Sequence, residues 1–279
     1  AIGAGRIIAQ GAKLVNKALE SDSIFGTDVW GEAVSHGRSG TLHFIGLHSD
    51  GNVHSHINHL HQLIKRAVSD GVTRIRLHLL LDGRDTPPRS ALEYIQQTEM
   101  IIAELNESHD VDIRIGSGGG RMTITMDRYE ADWDMVQQGY NCHTHGIGRP
   151  FSSASEAIET LYSESDDGDQ YLEPFVITDT DEQPVGTIVD GDAVILFNFR
   201  GDRAIEISQA FEDTEFDKFD RGNAPNVFFA GMLQYDGDLL VPKQYLVDPP
   251  VIDRTMGEYL VNNGVRSFAV SETQKFGHV

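Results

Sequence analysis

Four charged loops follow apolar, strand-like segments, and their residues could bind a small anion and move protons. The loops span residues 49–56, 82–85, 120–128 and 198–203. In open α/β sheets the ligand crevice lies outside the carboxyl ends of the strands, which is where these loops would meet. Because arginine forks recognise phosphate and carboxylate, the arginines in the loops predict a site for a small anion.

Two residues in these loops could act as acids or bases. His54 lies between a strand and a helix, a position suited to proton transfer or phosphate binding. Asp85 follows Arg84, so it would need a ligand on the arginine before it could carry a proton. An equal alternative for residues 82–85 is a tight turn held by an Asp–Arg pair, because turn-forming residues dominate the segment.

The candidate anion-binding arginines come in pairs. Arg121 and Arg128 follow a strand and a run of glycines, although such pairs are often plain surface residues. Arg200 and Arg203 stand at a predicted helix start, where their side chains can meet on one side. Cations at a helix N-terminus are unfavourable without an anion, so a bound anion would stabilise this pair. Asp202 is the alternative partner.

Histidines are dense in one stretch of the chain, which raises the question of a metal site. They are His48, His54, His56, His59 and His61. Three of them lie on a predicted helix without sharing one face, and no cysteine or carboxylate cluster accompanies them. We therefore assign no metal ligand in this chain and favour solvated or hydrogen-bonded histidines, with a dedicated metal site as the alternative.

The composition excludes several classes of protein. The net charge of −21 disfavours nucleic acid and anionic membrane surfaces as partners. The longest apolar run is too short to span a bilayer, and the single Cys142 excludes an internal disulfide, so we expect a cytoplasmic protein. The 43 acidic residues against 22 basic ones favour some adaptation to salt, with ordinary acidity as the alternative.

The hydrophobic pattern alternates strands with helices, which predicts parallel pairing and right-handed crossovers. The predicted fold class is therefore α/β, a three-layer α/β/α arrangement with a mainly parallel sheet. The predicted strands span residues 41–47, 73–81, 111–115, 193–197 and 226–232. Other local predictions are a capping box at Ser90 and Glu93, a flexible turn at 116–120, a solvated acidic loop at 165–169 and a hairpin at 174–189.

Together the charged loops resemble the cofactor-independent, or 2,3-bisphosphoglycerate-independent, phosphoglycerate mutases. The matching segments occur in family order, at residues 2–6, 49–56, 81–85, 120–121, 126–128, 198–203 and 272–276. The resemblance implies an isomerase of glycolysis and gluconeogenesis that interconverts 3-phosphoglycerate and 2-phosphoglycerate through a phosphoserine. Members have a phosphoglycerate-binding domain and an alkaline-phosphatase-like domain that holds the serine and two metal ions.

The resemblance also implies the roles of individual residues. The residues expected to contact substrate are His54, Arg84, Asp85, Arg121, Arg128, Arg200, Arg203 and Lys275. Asp85 would be the general acid or base toward the glycerate hydroxyls, and His54 would assist or hold phosphate. The arginines would clamp carboxylate and phosphate, and Lys275 would reach the transferring group from the hinge side.

The expected organisation is that of a substrate-binding domain with two connectors. Residues 1–10 would be a hinge from the phosphatase-like domain, residues 11–248 the substrate-binding domain, and residues 249–279 the return linker. Two Mn²⁺ ions would be bound by the covalently linked phosphatase-like domain and none by this chain. We therefore expect an inactive monomer that binds 2- or 3-phosphoglycerate, and no nucleic-acid or membrane partner.

Two other classes of function stay open at this point. One is a non-catalytic anion-binding module that signals the level of a metabolite. The other is a different phosphomutase of the alkaline phosphatase superfamily, such as a phosphopentomutase. The second ranks lower because those enzymes lack the combination of His54, Arg84, Asp85 and paired arginines.

Overall fold

A seven-stranded sheet organises the computed structural model, which describes residue 5 and residues 11–250, 252–268 and 270. The strand order is β4-β5-β3-β2-β1-β6-β7, and every neighbouring pair is parallel except β3 with β5. The strands are β1 Leu42–Leu47, β2 Arg74–Leu81, β3 Asp112–Gly120, β4 Arg149–Phe151, β5 Phe175–Ile177, β6 Ala193–Leu196 and β7 Phe228–Gly231. The predicted α/β class with a mainly parallel sheet is confirmed.

Helices cover both faces of the sheet, which gives three layers. In the described part of the chain they are α1 Ala12–Glu20, α2 Asp28–Ser39, α3 Ile57–Ser69, α4 Ala91–Ser108, α5 Trp133–His145, α6 Ala154–Glu164, α7 Ile205–Glu212 and α8 Met256–Asn262. Phe44 and its neighbours pack against α1 to α4 and α6, whereas Ile45 on the opposite face packs against α5 and α7. Burial on both faces explains why the central strands are almost continuously apolar. Within the described residues, no helix has the length and apolarity needed to cross a membrane.

The glycine run at residues 116–120 forms the second half of β3, so the predicted flexible turn is wrong. Residues 117–120 pair with the end of β2. A Cβ at Gly118 would lie 2.5 Å from the Phe175 ring, and one at Gly120 would lie 2.4 Å from the Gln170 carbonyl carbon. Glycine is therefore required here because neighbouring segments pack directly on the strand backbone.

A residue far along the chain caps α4, so the predicted capping box is wrong. The Ser90 side chain makes no capping bond. Instead, an Asp169 carboxylate oxygen accepts hydrogen bonds from the backbone nitrogens of Ser90 at 2.8 Å and Ala91 at 2.9 Å. Asp169 is only 1% exposed, so the predicted solvated loop is buried at its last residue.

The predicted hairpin at residues 174–189 is only partly formed. Its first half is β5, which pairs with β3 and β4. Its second half contributes an isolated bridge between Thr178 and Pro184 and a hydrogen bond from Val185 to Ile177. β5 is therefore held mainly by the central sheet and not by its own hairpin partner.

Removing the distant cap should destabilise the domain more than removing the local serine. We expect Asp169→Ala to lower the free energy of unfolding by about 2 kcal/mol, because the buried nitrogen of Ala91 and the part-buried nitrogen of Ser90 lose their acceptor. We expect Ser90→Ala to cost less than about 0.5 kcal/mol, since its hydroxyl is not the cap of α4 and bonds to Thr86 and Pro87 in the preceding loop. Urea unfolding of both variants is the measurement, and equal losses would contradict the assignment of the cap.

Candidate functional site

The four charged loops meet at the carboxyl ends of β1, β2, β3 and β6. Hydrogen bonds connect them in series: the Phe199 backbone nitrogen donates to the His54 carbonyl at 2.7 Å. An Arg121 nitrogen lies 2.8 Å from His54 Nε2. Arg203 Nη1 donates to the Met126 carbonyl. The predicted meeting of these loops is present in the structure.

Arg121 lies at the centre of the cluster and is buried, with 1% of its surface exposed. Its Nη1 donates to Asp82 Oδ1 at 2.8 Å and to Asp85 Oδ2 at 2.7 Å. Its Nη2 donates to His54 Nε2 at 2.8 Å. The side chain expected to clamp substrate therefore already binds three protein groups.

Asp82 anchors this arrangement at the end of β2. Its Oδ2 accepts from the Ser49 hydroxyl at 2.6 Å, and its Oδ1 accepts from the Asp85 backbone nitrogen at 3.1 Å. Gly83 follows with φ of +62° and leaves no room for a side chain, since a Cβ there would lie 2.8 Å from Asp169 Cβ. The segment 82–85 thus forms the tight turn that was the alternative interpretation, and it also supports Arg121.

His54 is neutral in this environment. Burial lowers the pKa of His54 to about 3, and the charges of Arg121, Arg200 and Arg203 act in the same direction. Because Nε2 accepts from Arg121, the neutral ring carries its proton on Nδ1. Among the described residues Nδ1 has no hydrogen-bond partner, and Asp202 Oδ1 is 3.6 Å away. His54 is therefore arranged to donate a hydrogen bond from Nδ1.

The other arginines surround Arg121 with more accessible side chains. Arg84 and Arg200 are exposed and Arg128 is half-buried, whereas Arg203 is buried. Burial lowers the pKa of Arg203, and the charges of Arg128, Arg121 and Arg84 act in the same direction. Arg200 Nε pairs with Asp202 Oδ1 at 2.9 Å, so Asp202 is a partner of this arginine, as the alternative interpretation predicted.

Two site residues carried no clear signal in the sequence. The Ser49 hydroxyl donates to Asp82, although serine in a loop of this kind is common and indicates no particular role. Glu206 is buried in the first turn of α7, where burial and the neighbouring Asp127 raise its pKa to about 7. Its Oε1 accepts from the Glu130 backbone nitrogen at 3.0 Å. Its spacing of three residues from Arg203 is the one local signal that could have placed it here.

The remaining site expectations concern metals and Lys275. Lys275 lies outside the described residues. No group of three or more His, Cys, Asp or Glu side chains within residues 11–250, 252–268 and 270 is arranged to hold a metal ion. His48 and His61 both bond to the Thr98 hydroxyl, and His59 bonds to Asn16. These three histidines are hydrogen-bonded to other side chains, as the favoured interpretation predicted.

Comparisons with known proteins show the family to which the chain is similar. The family model described as BPG-independent PGAM N-terminus (iPGM_N) matches residues 15–237. A protein of Leptospira interrogans named "Probable 2,3-bisphosphoglycerate-independent phosphoglycerate mutase" is 57% identical over 281 residues, covering 100% of this chain and 51% of the relative. The 2,3-bisphosphoglycerate-independent phosphoglycerate mutase of Trypanosoma brucei brucei is 52% identical over 285 residues, with coverage of 100% and 51%.

A solved structure matches as well. The crystal structure of Leishmania mexicana phosphoglycerate mutase at low cobalt concentration superposes with a TM-score of 0.91 at 47% identity, covering 100% of this chain and 51% of that one. Fold and site thus define an α/β domain with clustered arginines at its strand ends. The chain belongs to the 2,3-bisphosphoglycerate-independent phosphoglycerate mutase family, as the resemblance indicated, and spans about half the length of the relatives it matches.

The buried histidines predict a loss of stability in acid. Burial lowers the pKa of seven histidines in the described residues: His43, His48, His54, His59, His61, His78 and His143. Unfolding lets each bind a proton below pH 6.5, so the free energy of unfolding should fall as pH decreases from 6.5 toward 4. Glu206 and Glu212, whose pKa values burial raises to about 7, oppose this trend.

Urea unfolding between pH 7.5 and 5 measures this slope. Each net proton contributes about 1.4 kcal/mol per pH unit. His48→Gln should reduce the number of protons taken up on unfolding by about one, because burial holds the pKa of His48 at about 3. His109→Gln, at an exposed position, is the control and should leave the slope unchanged. A stability that rises on acidification over this range would contradict the assignment of neutral buried histidines.

Proposed function

We propose that the chain is the substrate-binding half of an isomerase that interconverts 3-phosphoglycerate and 2-phosphoglycerate through a phosphoserine. One observation carries the proposal: Arg84, Arg128, Arg200 and Arg203 surround the Arg121 cluster at the strand ends of a chain with a net charge of −21. Asp82, Asp85 and Asp202 pair with two of these five arginines, and the remaining positive charge favours binding of an anion. Phosphoglycerate offers both a phosphate and a carboxylate to arginine forks.

The neighbouring groups suit the glycerate part of this substrate. Asp85 binds Arg121 through Oδ2, which leaves Oδ1 for a glycerate hydroxyl, so Asp85 is the proposed general acid or base. His54 contributes a neutral hydrogen-bond donor at Nδ1 and not a proton carrier at Nε2, which Arg121 occupies. Arg121 fixes the positions of both side chains through its hydrogen bonds to Asp85 Oδ2 and His54 Nε2. Catalysis would then depend on positioning and charge stabilisation, as phosphoryl transfer generally does.

A linked phosphatase-like domain would supply the serine nucleophile and two metal ions, proposed to be Mn²⁺. The path of the chain supports this: Gly5 lies beside Met256, and Gly11 lies beside Phe199 at the end of β6. The start of the domain at Gly11 therefore lies next to the site, and connectors at 1–10 and 249–279 could act as hinges. Lys275 would approach the transferring group from that side, in a monomeric cytoplasmic enzyme of glycolysis and gluconeogenesis.

Calorimetric titration with 3-phosphoglycerate tests the proposal on the chain itself. We expect saturable binding with a Kd on the order of 1 mM, weak because the covering domain is absent. Arg200→Ala should weaken binding at least ~10-fold through loss of a charge-assisted contact, whereas Arg74→Ala, an exposed arginine at the opposite end of β2, should not.

The outcomes separate the candidate functions. The absence of binding in both low and molar salt, or equal losses in the two variants, would contradict the proposed site. Tight binding without any linked domain would instead favour a metabolite-sensing module.

A further inference from the structure

A continuous chain of polar side chains runs through the interior, between the sheet and α5. Its members, here called the histidine relay, are Asp192, His43, His78, Ser117, His143 and Thr125. The five successive donor–acceptor distances are 3.1, 3.0, 2.7, 2.8 and 2.9 Å. Every member is at most 2% exposed. The proposed chemistry of the site uses none of these side chains.

When the histidines of the relay are neutral, only one assignment of donor and acceptor fits its five hydrogen bonds. Burial lowers the pKa of His43 and His78 and holds the pKa of His143 at about 3. Because the Asp192 carboxylate accepts only, His43 donates from Nε2 and accepts at Nδ1 from His78 Nε2.

The remaining bonds follow from this polarity. Ser117 Oγ donates to His78 Nδ1 and accepts from His143 Nδ1. The Thr125 hydroxyl then donates to His143 Nε2. All five bonds are satisfied by one set of tautomers, and an interior network of this kind favours a unique arrangement.

A bulge in β3 makes the relay possible. Leu77 of β2 pairs with Ile115, but His78 pairs with Ser117, so Gly116 is an extra residue. Without this insertion Ser117 would face the other side of the sheet. A Cβ at Gly116 would lie 2.8 Å from Gly186 Cα, so this position also lacks room for a side chain.

At its far end the relay holds a residue in an uncommon backbone conformation. Thr125 has φ of +68°, which is unfavourable for a β-branched residue and persists only where the surroundings enforce it. Its backbone nitrogen donates to the Met135 carbonyl at 3.1 Å. A Cβ at Gly139 of α5 would lie 2.0 Å from Thr125 Oγ1, so the helix packs directly on the hydroxyl.

Thr125 lies in the middle of the arginine loop, defined as residues 121–128. Arg121 begins this loop and Arg128 ends it. The carbonyl of the next residue, Met126, accepts from Arg203. A change in the Thr125 backbone would therefore alter the positions of Arg128 and Arg203 relative to the buried Arg121.

We infer that the histidine relay positions the arginine loop for anion binding, with His143 and Thr125 as positioning residues that do not touch the ligand. The inference rests on the proposed function, and it assigns the buried side chains of the histidine relay a role in positioning that site. The structural part of the inference is that the order of the arginine loop depends on the Thr125 hydroxyl. This part does not depend on which anion the site binds.

Thr125→Val tests the relay by removing its last hydroxyl at nearly constant volume. Thr98→Val is the matched control, because Thr98 is also a fully buried threonine bonded to histidines, His48 and His61, but outside the relay. We expect Thr125→Val to raise amide hydrogen exchange in the arginine loop at least ~10-fold and to weaken 3-phosphoglycerate binding at least ~10-fold. Thr98→Val should change neither, and equal behaviour of the two variants would overturn the inference.

Nitrogen NMR of the histidine rings in the unmodified chain provides a readout that needs neither a variant nor a ligand. We expect His43 and His78 to carry their protons on Nε2 and His143 on Nδ1 at pH 7. Any other set of tautomers would overturn the relay. If the chain binds no 3-phosphoglycerate while the exchange and tautomer results hold, the proposed function fails and the relay stands.

Discussion

One buried guanidinium, that of Arg121, sets the geometry of the site, because it bonds simultaneously to Asp82, Asp85 and His54. Removing charged groups from water is costly, so such a cluster persists only when every charge is paired and hydrogen-bonded. The two aspartates pair with Nη1 of the guanidinium, whereas Nε has no hydrogen-bond partner among the described residues, and Asp82 is itself supported by the Ser49 hydroxyl. A buried pair of this kind contributes little net stability but enforces a specific arrangement. Here it fixes loops from three different strands.

The electrostatics of the surrounding residues follow from this pairing. Since the aspartates pair with Arg121, the proposed contacts to an anion fall to the more accessible Arg84, Arg128 and Arg200, in an otherwise acidic protein. The same positive surroundings, added to burial, keep His54 neutral. The histidine relay and the Arg203 contact to Met126 then hold the arginine loop from its other side. The site is thus supported on both sides by buried polar groups.

Much of the fold was predictable, because long apolar runs such as 73–81 identify buried strands and the order of elements dictates parallel pairing. The meeting of the charged loops followed from the same rule. Long-range contacts were not predictable: Asp169 caps a helix that begins 78 residues earlier, and residues 116–120, which are Ser117 and its flanking glycines, form a strand because other segments pack on their backbone. The burial of Arg121 and the neutrality of His54 likewise depend on tertiary packing, which motif spacing does not encode.

The most direct test of the central claim is a crystal structure of this chain with 3-phosphoglycerate. We expect Arg121 to stay bonded to Asp82 and Asp85 while the ligand's phosphate and carboxylate bind the accessible arginines and His54 Nδ1. A ligand that displaces Arg121 from the two aspartates, or that binds away from the carboxyl ends of β1, β2, β3 and β6, would contradict the account.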